Sequence, residues 1–77
     1  MASPYKYREL IKALRKHDKR FDVNKEKGKG SHRVIYHPDV NGAARSLPIP
    51  FNGDNADVHP VYVKQIVERF NLPDGTL

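Results

Sequence analysis

The spacing of apolar residues changes twice along this chain, and those two changes restrict its fold more than any other feature. Between Pro4 and Lys16, the residues Tyr7, Leu10, Ile11 and Leu14 recur at three- and four-residue intervals among charged neighbours, which predicts an amphipathic helix. Ser3 can cap it, Pro4 suits a first turn that needs no N–H, and Lys16, His17, Lys19 and Arg20 gather at the end favoured by cations. From Phe21 the period shortens to two, with Phe21 and Val23 alternating with polar residues, and a short strand up to Glu26 follows.

Lys27 to Gly30 reads as a turn, because its two glycines accept the positive backbone angles of a hairpin. A second strand is expected from Ser31 to His37, a turn over Pro38, Asp39, Asn41 and Gly42, and a third strand from Ser46 to Phe51. Pro48 and Pro50 lack backbone donors, so this third strand should sit at a sheet edge or pair irregularly. The helical period returns from Val58 to Phe70, with Tyr62 and Ile66 on the same stripe; Asp57 is the expected cap, Pro60 fits the first turn and Pro73 ends the run.

Two helices that each carry an apolar stripe must cover something, and one face of a three-stranded meander serves both. The expected fold is therefore α+β in the order α-β-β-β-α, a three-stranded antiparallel sheet with both helices packed on one face, as a single domain over residues 1–77. The absence of cysteine excludes disulfides and thiolate zinc sites and suits a reducing, cytoplasmic compartment. No apolar run approaches the roughly 20 residues of a membrane-spanning helix, and the N-terminus lacks the apolar core of a signal peptide.

Charge is unevenly spread. Residues 1–37 hold eleven Lys/Arg against four Asp/Glu, whereas residues 38–77 hold three against five, so a net +7 faces a net −2. A concentrated positive field attracts polyanions, nucleic acid first among them, although it also serves a merely solvated surface.

The stretch Lys25-Glu26-Lys27-Gly28-Lys29-Gly30-Ser31-His32-Arg33-Val34-Ile35-Tyr36 carries most of the chemistry. Glycines admit phosphate close to the backbone, lysines supply point charges, and a histidine exchanges protons near neutral pH. On pattern alone the segment suits either a phosphodiester site or an ordinary basic hairpin turn. His37, five positions from His32, falls on the opposite face of a regular strand, so the two cannot share a metal ion. His17 and His59 read as helix-end residues, Tyr7 and Tyr62 as core, and Tyr36 fits either the core or a base-stacking surface.

Gly30-Ser31-His32 before an apolar strand, Ile49-Pro50 on the third strand, and a last helix ending at Phe70-Asn71-Leu72 together resemble the HicA family over nearly the whole chain. That resemblance implies a fold like the double-stranded-RNA-binding domain, metal-independent cleavage of messenger RNA without a cofactor, and neutralisation by a HicB-type antitoxin. It places the catalytic histidine at His32. Lys25, Lys27, Gly28, Lys29, Gly30, Ser31 and Arg33 are then the expected RNA contacts. Phe51 and Asn52 depart from the polar segment common in the family, and Asp39 to Arg45 reads as a long loop.

Two other classes fit the residues. One is a non-catalytic RNA-binding module of the same fold, for which the last helix offers only Lys64 and Arg69 beside Glu68. The other is a protein-interaction domain whose positive face meets an acidic partner. An endoribonuclease toxin accounts best for the Gly-Ser-His segment.

Overall fold

A computed structural model describes residues 5–24 and 32–77. In these residues α1 (Tyr7–His17) is followed by β1 (Asp22–Asn24), β2 (His32–Val40), β3 (Ala43–Pro50) and α2 (Pro60–Arg69). The strands form one antiparallel sheet in the order β1-β2-β3, so β3 with its two prolines lies at an edge as expected. Pro48 and Pro50 are two positions apart and pair with Val34 and His32, which puts both missing donors on the same side of the strand.

Alternation along β2 decides which face is covered. Ile35 and His37 are buried, whereas His32 and Tyr36 are exposed. Ile35 joins Leu47 and Ile49 of β3 in one core with Leu10 and Leu14 of α1 and Ile66 of α2. Both helices therefore cover the same sheet face, and the other face is open.

The hairpin between β2 and β3 is tighter than the sequence suggests. β2 runs through Pro38 to Val40, and Asn41 and Gly42 close the turn with φ of 54° and 88°, as a two-residue turn with both central residues left-handed requires. Asp39 and Pro38 fall in a register irregularity between His37 and Val40, where two β2 residues oppose one on β3. This bulge removes Pro38 from the ladder and shifts the alternation so that Val40 returns to the core. The expected long loop from Asp39 to Arg45 is thus a bulge and a tight turn, and β3 begins three residues earlier than Ser46.

The helix ends also differ from expectation. α1 begins at Tyr7, with the Lys6 N–H donating to Glu9 Oε1 at 3.1 Å; Ser3 and Pro4, the expected cap and first-turn residue, lie outside the described residues. Asp57 does not cap α2. It forms an isolated bridge with Lys6, the two side chains 3.4 Å apart, while His59 Nδ1 accepts from the Val61 N–H at 3.1 Å and Pro60 opens the helix. At its far end, Asn71 turns left-handed (φ 51°), the Leu72 N–H reaches the Val67 carbonyl at 3.0 Å and the Asn71 N–H reaches that of Glu68 at 3.4 Å. Phe70-Asn71-Leu72 therefore stops α2 by its own hydrogen bonding, before Pro73 has any effect.

Candidate nucleic-acid interface

His32 is the first residue of β2 and pairs with Pro50. Its side chain belongs to the open face, in line with Val34 and Tyr36, and is exposed. Among the described residues, β1 pairs with β2 from Asp22 opposite Tyr36 to Asn24 opposite Val34. The segment that contains Lys25, Lys27, Gly28, Lys29, Gly30 and Ser31 is outside the described residues.

Arg33 faces the opposite way, toward the helix layer. Its guanidinium carbon sits 3.4 Å from the centroid of the Phe51 ring and 5.5 Å from that of Tyr7, while the two rings meet edge to face at 4.7 Å. Stacking on aromatic faces holds a guanidinium in place without using its in-plane donors. Phe51, which stood out against the family pattern, is thus the platform for a predicted RNA contact.

Arg33 also lines a groove of about 460 Å³ along the flank of α1. Arg8, Lys12 and Arg15 form its rim, and Tyr7, Ile11 and Val23 give it an apolar lining. Counting charge by halves of the chain missed this row. The signal was present in the spacing of residues 8, 12 and 15, which puts three cations on one side of a helix.

The other histidines do not join His32. His37 is only 4% exposed, and both ring nitrogens are engaged: the Asp39 N–H donates to Nδ1 at 3.0 Å, which leaves Nε2 to donate to Asp18 Oδ2 at 2.8 Å. Its ring also meets Phe21 edge to face at 4.7 Å. Arg20 donates to the same Asp18 carboxylate through its guanidinium and its backbone N–H, and these bonds, with that from His37, hold the Asp18 carboxyl well below the usual carboxylate range. With no free nitrogen, His37 joins the end of α1 to β2. His59 caps α2 and His17 is exposed at the end of α1. Among the described residues, no group of three or more His, Asp or Glu stands close enough to hold a metal ion, and no helix is long and apolar enough to cross a membrane.

Searches of curated proteins and of solved structures returned no match. The family described as "HicA toxin of bacterial toxin-antitoxin" matches residues 7–72, from the first residue of α1 to the last hydrogen bond of the α2 stop. The match includes the exposed His32, the aromatic-stacked Arg33 and all three strands. The chain belongs to the HicA toxin family of bacterial toxin–antitoxin systems.

Proposed function

We propose that this toxin is a metal-independent endoribonuclease that cleaves messenger RNA in the cytoplasm and is neutralised by a HicB-type antitoxin. The observation that carries the reading is the placement of His32: exposed, at the start of the central strand, directly after the Gly-Ser step that opens the resemblance to HicA. Among the described residues, no hydrogen bond engages its ring.

The chemistry needs only a proton-transfer group and a held phosphate. When the ribose 2′-oxygen attacks phosphorus, a new P–O2′ bond forms, the P–O5′ bond breaks, the 2′ proton is taken up and the departing 5′-oxygen gains one. His32 serves as base for the first transfer or acid for the second, a contribution typically worth ~10² to 10⁴ in rate. Lys25, Lys27, Lys29 and the backbone from Gly28 to Ser31 supply donors for the developing phosphorane charge, with Arg33 holding the strand nearby.

Purified protein given a single-stranded messenger RNA fragment in excess chelator is expected to cut it, leaving one product with a cyclic phosphate and the other with a 5′-hydroxyl. RNA that is bound but stays intact would make the non-catalytic binding module the better reading. Cutting that stops on addition of chelator would overturn the metal-independent mechanism.

A further inference from the structure

The groove along α1 lies on the other side of the sheet from His32, and the proton-transfer chemistry does not require it. Its rim residues are Arg8, Lys12 and Arg15, spaced so that they run in a row about 10 Å long on one flank of α1. Arg8 and Lys12 are exposed and form no ion pair among the described residues, while Arg15 shares its charge with Asp22 at 3.6 Å. Arg33 also lines the groove, with its guanidinium stacked on Phe51 and with no acceptor for its N–H groups among the described residues. Among the described residues, Asp54 is the one carboxylate on the groove wall, and it forms no ion pair with these cations.

A second observation comes from the lining. Tyr7 is 5% exposed and its hydroxyl, buried beside the groove, has no hydrogen-bond partner among the described residues. A buried hydroxyl left without a partner costs stability, so a ligand that satisfies it or the cations around it recovers part of that cost. Below the cations, Ile11 and Val23 offer an apolar surface.

We propose that this groove is an anchoring site for a stretch of single-stranded RNA, with Arg8, Lys12 and Arg33 on successive phosphates and a ribose or base against the apolar lining. A positively charged groove that tracks the backbone is one means by which single strands are held without sequence reading. The groove is a concave seam between helix and sheet, which a flexible single strand enters and a rigid duplex does not. Because Arg33 and His32 are neighbours on opposite faces at the start of β2, a strand held in the groove passes around that end of the sheet to the histidine. The inference rests on the RNA reading above, but not on cleavage.

The test uses the full chain carrying His32→Ala, so that RNA is never cut, and compares it with the same chain carrying Arg8→Gln and Lys12→Gln. The probe is a fluorescently labelled single-stranded RNA oligonucleotide, with anisotropy read across a salt series. Two lost phosphate contacts reduce the slope of log affinity against log salt by about 1.4. An unchanged slope overturns the proposal, as does a variant that loses affinity for the duplex of the same sequence more than for the single strand. Unchanged RNA binding with weakened binding to polyglutamate would assign the groove to an acidic protein segment instead. The slope is read without turnover, so failure of wild-type protein to cut RNA leaves this result standing, and the converse holds.

Discussion

At the scale of single residues, two of the four histidines illustrate how one residue type takes opposite duties on one strand. His32 and His37 lie on opposite faces, as their odd separation requires, and only the buried one has both nitrogens engaged. Replacing His37 with alanine removes an aromatic contact, takes one donor from the Asp18 carboxylate and leaves the Asp39 N–H without its acceptor. A loss of about 2 to 4 kcal/mol in chemical denaturation is expected, without any change in RNA affinity. Asp18 makes the same network sensitive to acid. Its folded carboxyl is held below its ordinary value of 3.8, so the stabilisation is fully present above that pH and is lost as pH falls below it. Thermal unfolding of Asp18→Asn should therefore show a lower midpoint at neutral pH and a flatter decline below about pH 4 than wild type. Tyr7→Phe works the other way: it removes an unpartnered hydroxyl while keeping the ring under Arg33, so its unfolding midpoint should equal or exceed that of wild type. A lower midpoint would mean that the hydroxyl has a partner outside the described residues.

At the scale of elements, the sequence revealed type and order better than ends. Hydrophobic period is set by which face is buried, so the stripe of Leu10 and Leu14 and the alternation around Ile35 identified their helix and strand directly. Ends depend on longer-range partners. Asp57 has the chemistry of a cap, yet its pairing with Lys6 some fifty positions earlier engages it outside the helix, and His59 caps instead. Pro38 has the chemistry of a turn residue, yet a bulge lets the strand pass through it. The Asn-Gly pair that makes the turn was visible in the sequence but was spread over too long a loop. Gly42 carries the clearest element-scale prediction. A Cβ there meets nothing within 4 Å, so Gly42→Ala costs only the strain of its φ of 88°, about 1 kcal/mol by denaturation, with the hairpin register retained. A much larger loss would mean that the turn contacts something else.

At the scale of the whole molecule, a sheet with one covered and one open face separates two groups of residues that the sequence had merged into one basic half. The core side keeps Arg33 and the α1 row in a seam between layers, and the open side presents His32. Face assignment was the part the sequence left undecided, because Val34 and Tyr36 are as apolar as Ile35; the burial of Ile35 against both helices decided it. The site residues on the Gly-rich segment, from Lys25 to Ser31, stand on pattern and resemblance alone. The central claim is that His32 moves a proton in RNA cleavage, and a proton-transfer group acts on the transition state far more than on bound substrate. The most direct measurement is cleavage of labelled single-stranded RNA by wild type and His32→Ala in excess chelator, with thermal unfolding and RNA affinity recorded on the same samples. The account predicts a fall of about 10² to 10⁴ in the cleavage rate, with the unfolding midpoint and the affinity unchanged. A folded His32→Ala protein that cuts at the wild-type rate would contradict it.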